Sequence, residues 1–214
     1  MAGTLEGKSV AVLVETEYIP FELEHYRKFF VEECGARLDF ITNLWGEPSR
    51  KLICDITDTE HPETAIHTMT VNTDVAACNP NDYAVILCAA NYVACRLREI
   101  PPMHSLGSVD RLRTPPAVQF FASAMMNKSI VKGALCHALW LLTPTPELLA
   151  GRKVTCHTVV LADVHNAGAI FVPAPSHVVV DDDLVTGRSA GDLTAYTDAI
   201  LATYLELRDR KFPE

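Results

Sequence analysis

The stretch Gly133-Ala134-Leu135-Cys136-His137-Ala138-Leu139-Trp140 joins an apolar strand to a helical pattern and decides the fold class. The strand pattern runs from Ser129 to Leu135, and the helical pattern begins directly after Cys136. In a parallel sheet with helices on its faces, the ligand crevice lies beyond the carboxyl ends of the strands. A strand-to-helix turn at that edge can hold one side chain in a tight, exposed position, as a nucleophile elbow does. We therefore predict an α/β fold with Cys136 at its ligand edge.

Cys136 is the candidate nucleophile. The thiolate is the reactive form of cysteine, and a helix N-terminus stabilises it through partial positive charge and free backbone N–H groups. The same N–H groups can stabilise an oxyanion on a substrate carbonyl. A buried packing role stays open from the turn alone, because most free cysteines behave as small apolar side chains.

Strand and helix patterns alternate along the rest of the chain. Apolar or β-rich runs predict strands at 9–14, 37–41, 83–88, 129–135, 152–156, 169–172, 178–180 and 184–186. Helical spacing predicts helices at 22–34, 117–126, 137–149 (with Pro144 and Pro146 kinking or interrupting it) and from Asp192 to Tyr204. Strands separated by helices form a parallel sheet covered on both faces, so we predict an α/β/α sandwich.

Two stretches depart from this alternation. Residues 43–70 are polar and irregular, and residues 99–116 carry two Pro-Pro pairs around Gly107. Long connections in compact domains are usually functional loops or disordered segments. Since no repeat, low-complexity tract or linker divides the chain, we expect both to be insertions in a single domain over 1–214.

The composition limits the classes of function. The chain has 214 residues, of which 49% are hydrophobic, and its net charge is 18 − 27 = −9, which argues against a nucleic-acid partner. No apolar run approaches the roughly 20 residues that span a bilayer, and the first residues lack the pattern of a cleavable signal peptide. Seven cysteines, an odd number without an export signal, indicate reduced thiols and a cytoplasmic location.

Three other signals are weighed and set aside. Glu60-His61-Pro62-Glu63 with His67 offers metal-type ligands but lacks a zinc-site spacing, so we expect a polar loop. Asp181-Asp182-Asp183 lies between two strand patterns and fits a hairpin turn. Gly3 and Gly7 precede the first strand, where a phosphate-binding loop would follow it. We expect neither a metal nor a cofactor.

Several segments follow one known pattern: Ala134 to Ala138, Leu148 to Thr155, Asn166-Ala167-Gly168, Val178 to Asp181 and Gly191-Asp192-Leu193. They resemble the nucleophile turn and the following strands of the ThiJ/PfpI superfamily, the group of the Parkinsonism-associated deglycase. The resemblance is looser in the first half and covers nearly the whole chain outside the two irregular stretches. It implies the flavodoxin-like, class I glutamine amidotransferase-like fold.

The resemblance also implies roles for individual residues. Cys136 is then the nucleophile, and His137 is the general base or orienter, whose backbone N–H also serves the oxyanion. A glutamate at the start of the first helix contacts the thiol, and Glu22 is the best match; it should be protonated there because like charges disfavour double ionisation. Three nearby carboxylates remain as alternatives: Glu15, Glu17 and Glu24. His157 matches a position near the thiol and is a secondary candidate.

Departures from the family pattern bear on the reaction. Where the family has Pro-Gly-Gly, with a glycine N–H in the oxyanion hole, this chain has Cys88-Ala89-Ala90, which leaves Ala90 as the candidate donor. Residues 92–96 lack the glutamate that completes a peptidase triad, and Ala138 replaces the glycine that commonly follows Cys-His. Cys156 could act as a resolving thiol or as a packing residue.

We therefore expect a cysteine-dependent enzyme that acts on a small carbonyl or other electrophilic substrate. Hydrolase, hydratase and glyoxalase-type lyase chemistries stay open. The alternative is a non-enzymatic redox-sensing or stress-response protein that uses the same thiol; an intracellular peptidase and a catalytically inactive homologue are less favoured. The resemblance implies a homodimer or a higher homo-oligomer, and the partner is a small-molecule substrate, with no membrane involved.

Overall fold

The computed structural model describes residues 3–56, 66–101 and 107–211. Its main element is a six-stranded sheet in the order β2-β1-β5-β6-β10-β9. The strands of this sheet are β1 (Ser9–Leu13), β2 (Arg37–Ile41), β5 (Val85–Cys88), β6 (Val131–Leu135), β9 (Val178–Asp181) and β10 (Leu184–Gly187). Two-stranded ribbons are formed by β3 (Arg50–Ile53) with β4 (Thr68–Val71), and by β7 (Lys153–Val154) with β8 (Ile170–Phe171).

The central strands are buried on both faces because their sequences are nearly continuous apolar runs. All residues of β5 and β6 are buried, and β1, β2, β5, β6 and β10 run parallel. The edge strand β9 runs antiparallel to β10, so the sheet is mixed where the sequence predicted parallel strands. Asp182 makes the tight turn between them with φ +56°, which confirms the predicted hairpin.

Among the described residues, five α-helices flank the sheet: α1 (Pro20–Tyr26), α2 (Val93–Leu97), α3 (Pro116–Met126), α4 (Leu161–Asn166) and α5 (Leu193–Lys211). The predicted helix at 22–34 is present, although its second half, Arg27–Glu33, is a π-helix. Helix α5 packs on β6 and β10 and also contacts α1. In the described part of the chain, no helix is long and apolar enough to cross a membrane.

The helix predicted at 137–149 is wrong. Short 3₁₀ turns, Ala138–Leu141 and Pro146–Leu148, occupy this segment. Pro144 and Pro146 explain the difference, because each lacks an N–H and its ring clashes with the carbonyl four residues earlier in an α-helix. Cys136 therefore precedes a four-residue 3₁₀ turn and not the N-terminus of an α-helix.

Parts of the two irregular stretches have regular structure. Ribbon β3–β4 lies in the first stretch, and a 3₁₀ turn, Val109–Arg111, lies in the second. Residues 57–65 and 102–106 lie outside the described residues, and with them the predicted polar loop at Glu60 to Glu63. The strand predicted at 152–156 is limited to Lys153–Val154.

Candidate active site

Cys136 lies directly after β6 in a strained turn. Its φ is +60°, a region that residues with a side chain rarely adopt. Two backbone hydrogen bonds hold this conformation: the Cys136 N–H donates to the Gly187 carbonyl at 2.8 Å, and the His157 N–H donates to the Cys136 carbonyl at 3.1 Å. The neighbouring strand β10 and the segment after β7 thus aim the thiol, as the predicted nucleophile elbow requires.

The His137 side chain folds back onto the thiol. Its Nδ1 is 3.0 Å from the Cys136 Sγ. Three other rings surround the imidazole: the ring of His157 stacks on it at 4.7 Å between centroids, and those of Tyr92 and Trp140 lie at 5.2 Å each. This packing leaves only 7% of His137 exposed and fixes the orientation of its ring.

Glu22 lies in the first turn of α1 and is fully buried. Its carboxylate accepts a hydrogen bond from the Tyr26 hydroxyl at 2.7 Å and two contacts, at 3.0 and 3.1 Å, from the Ala90 N–H. The Tyr26 contact follows from the i, i+4 spacing on one helix face. Tyr26 was missed in the sequence, although this spacing was a usable signal.

The other candidate glutamates are engaged elsewhere. The Glu15 carboxylate is buried and forms an ion pair with Arg50 at 2.6 Å, and the Glu17 carboxylate pairs with Arg96 at 2.9 Å. Glu24 is exposed on the outer face of α1. Glu22 is therefore the glutamate of this set whose charge acts on the Cys136 thiol.

Burial dominates the protonation of the site. It raises the pKa of the Cys136 thiol to about 12, although the backbone N–H groups of Asn91 and His137 act to lower it. The nearby Glu22 carboxylate adds to the rise. The sequence predicted that a helix N-terminus would stabilise the thiolate. The structure has only a short 3₁₀ turn after Cys136, and the effect of burial on the thiol pKa outweighs that of the backbone N–H groups.

Burial shifts the pKa values of the two neighbouring groups as well. It raises the pKa of Glu22 to about 7, against the lowering effect of the donors Tyr26 and Ala90. Burial and, to a smaller extent, the electrostatic effect of His157 together lower the pKa of His137 to about 4. Near neutral pH, the resting site therefore holds a protonated thiol, a neutral imidazole and a half-protonated carboxyl group.

The predicted oxyanion donor Ala90 is redirected in the structure. Its N–H points to the Glu22 carboxylate, so it is not free to face a substrate oxygen. The backbone N–H groups that lower the pKa of the thiol belong to the next residue, Asn91, and to His137. Asn91 and His137 are therefore the candidate oxyanion donors.

Asn91 was not singled out from the sequence. It has φ +62°, and its side-chain amide donates to the Glu17 carbonyl at 3.0 Å and to the Asp55 carboxylate at 2.6 Å. Asparagine tolerates the left-handed conformation better than most residues, so an Asn directly after a buried strand end was a usable signal. These contacts tie the turn to the first irregular stretch, which thereby supports the site.

The remaining candidates take supporting positions. His157 stacks on His137, while its Nδ1 accepts a hydrogen bond from the Val159 N–H at 3.3 Å. Cys156 is buried, and burial raises the pKa of its thiol to about 11. Among residues 3–56, 66–101 and 107–211, no group of three or more His, Cys, Asp or Glu side chains is placed to hold a metal ion.

The chain is similar in sequence to a known protein family and to two curated proteins. Residues 107–203 match the model of the DJ-1/PfpI family. General stress protein 18 of Bacillus subtilis (strain 168) is 27% identical over 196 residues, which are 92% of this chain and 97% of that protein. Protein/nucleic acid deglycase 2 of Escherichia coli (strain K12) is 38% identical over 90 residues, which are 42% of this chain and 51% of that protein.

A solved structure supports the fold. A two-domain protein of Anabaena variabilis, with DJ-1/ThiJ/PfpI-like and ferritin-like domains, superposes with a TM-score of 0.72 at 21% identity. The match covers 91% of this chain and 47% of that one. At this identity the likeness concerns the fold alone, which is the predicted flavodoxin-like arrangement of a mostly parallel sheet with flanking helices.

Proposed function

Because the chain carries a domain of the DJ-1/PfpI family, we propose that it is a cysteine-dependent enzyme acting on a small carbonyl or other electrophilic substrate. Cys136 is the nucleophile, His137 carries the proton, and Glu22 tunes the thiol. One observation carries the proposal: a strained turn holds the Cys136 Sγ 3.0 Å from the His137 Nδ1. Strain of this kind persists where the surrounding structure imposes it, and it is concentrated at functional sites.

The first chemical step is addition of the thiol to the carbonyl carbon. The Sγ–C bond forms while the C=O π bond breaks, and the thiol proton passes through the His137 Nδ1 to the new oxygen. The Asn91 and His137 N–H groups stabilise the negative charge that develops on that oxygen. The product is a hemithioacetal, and atoms and charge balance without a further reactant.

The low pKa of His137 suits a relay. A neutral imidazole can accept the thiol proton, but the buried site disfavours an imidazolium ion, so the proton moves on to the oxygen. The high pKa of Cys136 likewise keeps the free thiol neutral until an electrophile is bound. Both pKa shifts disfavour a stable thiolate-imidazolium pair in the free site. They favour a mechanism in which the proton is transferred while the thiol adds to the carbonyl.

The later steps distinguish the reaction classes. Hydrolase, hydratase and glyoxalase-type lyase reactions all begin with this addition and differ in what then attacks or leaves. The name of the Escherichia coli relative, a protein/nucleic acid deglycase, supports carbonyl adducts as one substrate class to assay first. The segment 92–96 carries no carboxylate for a peptidase triad, so peptides come last.

Turnover assays with glyoxal, methylglyoxal and their amine adducts test the proposal. We expect Cys136→Ser to lose at least about 1,000-fold in kcat/KM, as nucleophile removal does in other covalent enzymes. Cys78→Ser is the matched control. Cys78 is half-buried, accepts a hydrogen bond from the Tyr83 hydroxyl and is not one of the candidate site residues. Full activity of Cys136→Ser on the substrate of the wild type would overturn the proposal.

A redox-sensing or stress-response role of the same thiol is the second candidate. It is supported by the match to general stress protein 18 over 92% of this chain. Peroxide treatment followed by intact-mass analysis tests it: addition of oxygen at Cys136 that is absent in Cys136→Ser is the expected result. An unchanged mass contradicts this role, and the raised pKa of the thiol predicts slow oxidation.

We also propose that the chain folds as one domain, assembles as a homodimer or a higher homo-oligomer, and acts in the cytoplasm. The family resemblance supports the assembly, and the seven free cysteines support a reducing compartment. Size-exclusion chromatography with light scattering measures the assembly directly, and a monomer at micromolar concentration contradicts it.

A further inference from the structure

A cavity lies next to Trp140, the residue whose ring packs against His137. It has a volume of about 340 Å³, and its lining includes Arg98, Trp140, Thr143, Asp163 and Asn166. The centroids of the Trp140 and His137 rings are 5.2 Å apart. The Trp140 Nε1–H donates to the Asp163 carboxylate at 2.7 Å, which holds the indole in place.

Arg98 is a half-buried cation that forms no ion pair with a carboxylate of the described residues, although Asp163 lines the same cavity. Its Nη1 donates to two neutral oxygens, the Trp140 carbonyl at 3.2 Å and the Thr143 hydroxyl at 3.3 Å. Within residues 3–56, 66–101 and 107–211, no carboxylate lies within ion-pair distance of the Arg98 guanidinium, and its Nε and Nη2 donate to no protein acceptor. Burial lowers the pKa of Arg98, and the electrostatic effects of Cys95 and Asp163 offset this desolvation only in part.

The two idle nitrogens form one edge of the guanidinium group. A planar carboxylate can accept two parallel hydrogen bonds from such an edge, and this geometry is stronger and more selective than a single contact. Asp163 in the same cavity disfavours a dianion such as phosphate, because like charges repel at short range. A small monocarboxylate is therefore the ligand class that fits the charge and the hydrogen-bonding groups.

We propose that this cavity is a carboxylate subsite, in which Arg98 binds the carboxylate of a small substrate whose carbonyl is attacked by Cys136. The inference rests on the function proposed above and adds a substrate class to it, the oxo carboxylic acids. Because Trp140 both lines this cavity and contacts His137, we expect the substrate to carry a carbon chain between its carboxylate and the carbonyl that reaches the thiol.

Binding is tested without turnover, by titrating butanoate into Cys136→Ser and following the tryptophan indole N–H signals by NMR. The chain has two tryptophans, so Trp45 serves as the internal reference for Trp140. We expect butanoate to shift the Trp140 signal alone, and Arg98→Gln to raise the dissociation constant at least about tenfold. Unchanged binding in Arg98→Gln, or equal binding of inorganic phosphate, would overturn the carboxylate subsite.

Two further variants keep the test decisive if Arg98→Gln folds poorly. Asn166→Asp adds a negative charge to the cavity without changing the size of this exposed side chain. It is expected to weaken butanoate binding as strongly as Arg98→Gln does. Arg208→Gln is the matched control, because Arg208 is an exposed arginine near the end of α5, paired with Asp209, and is expected to bind butanoate as before. Loss of binding in this control and in Asn166→Asp alike would assign the effect to net charge and overturn the site.

Turnover separates the subsite from the proposed function. 4-Oxobutanoate and 6-oxohexanoate are compared with the uncharged aldehydes of the same lengths, and we expect at least one acid to have the lower KM, a preference that Arg98→Gln abolishes. Glyoxylate, in which the carbonyl is bonded directly to the carboxylate, is too short to reach both groups and should show no such preference. Turnover without any such preference overturns the subsite alone. Butanoate binding without turnover of any oxo compound overturns the proposed enzyme function and leaves the carboxylate site.

Discussion

Glu22 illustrates, at the scale of one residue, how opposing effects set a pKa. Three contacts from Tyr26 and Ala90 favour the carboxylate, whereas complete burial favours the neutral acid, and burial dominates. A pKa near 7 lets this group change charge within the physiological range. A negative charge at Glu22 opposes an oxyanion nearby, so the protonation state of this one residue affects both stability and chemistry.

The raised pKa of Glu22 should make the free energy of unfolding depend on pH. The pKa of Glu22 is about 7 in the folded state against 4.5 as reference, so the folded state binds the proton more tightly. Between these values, rising pH therefore lowers the free energy of unfolding, by about 3 kcal/mol once pH exceeds 7. Glu22→Gln lacks this loss, and urea unfolding across that pH range measures the difference.

Two features make the comparison specific to Glu22. The lowered pKa of His137 affects the wild type and Glu22→Gln alike, so it cancels in their difference. Glu24→Gln, in the same helix but exposed, is expected to follow the wild type at every pH. Parallel pH profiles for wild type and Glu22→Gln would contradict a raised pKa at this position.

At the scale of elements, two glycines let α5 approach the sheet. A Cβ at Gly133 in β6 would overlap the Tyr196 hydroxyl and a Leu87 methyl group, and a Cβ at Gly187 in β10 would overlap a Leu135 methyl group. Both strands end beside Cys136, and the Cys136 N–H bonds to the Gly187 carbonyl. Close helix packing and the position of the thiol therefore depend on the same pair of strands.

Gly133→Ala is expected to destabilise the protein by at least about 2 kcal/mol, because a well-packed core has no space for the added methyl group. Thermal and urea unfolding measure this effect. Tyr196→Phe should partly relieve it in the double variant, since the buried Tyr196 hydroxyl has no partner in the described part of the chain. Gly107→Ala, where a Cβ meets open space, is the control, and equal stability of the two alanine variants would contradict the packing argument.

At the scale of the whole molecule, a buried ion cluster connects distant parts of the chain. Lys132 in β6 and Asp183 in the hairpin between β9 and β10 are both fully buried and form an ion pair. Arg152, just before β7, donates to Asp183 at 2.7 Å, and Lys132 also donates to the Asn127 carbonyl at 2.9 Å. The cluster thereby joins the main sheet to the ribbon that positions His157.

Asp183→Asn should cost about 3 to 5 kcal/mol in the free energy of unfolding, because it leaves the Lys132 ammonium buried without its counter-charge. Asp182→Asn is the matched control in the same turn; Asp182 makes exposed pairs with Lys128 and Arg210 and should cost no more than about 1 kcal/mol. Urea unfolding at neutral pH compares them. Similar losses in both variants would show that the buried pair adds nothing beyond the turn.

Local patterns in the sequence determined the strands, the hairpin at Asp182 and the strained turn at Cys136. Such features depend on residues that are neighbours in the chain, and apolar periodicity and turn chemistry report on them directly. The same periodicity failed at 137–149, where two prolines interrupt a pattern that otherwise fits a helix.

Only the tertiary structure decided which groups surround the thiol. The Ala90 N–H reaches a carboxylate 68 residues away, so that Asn91 becomes the candidate oxyanion donor, while Arg98 donates to the carbonyl of Trp140, 42 residues further on. Burial then reverses the expected acidity of Cys136. These outcomes depend on contacts between segments that are distant in the sequence and on the exclusion of water from the site. Local sequence patterns predict neither of these.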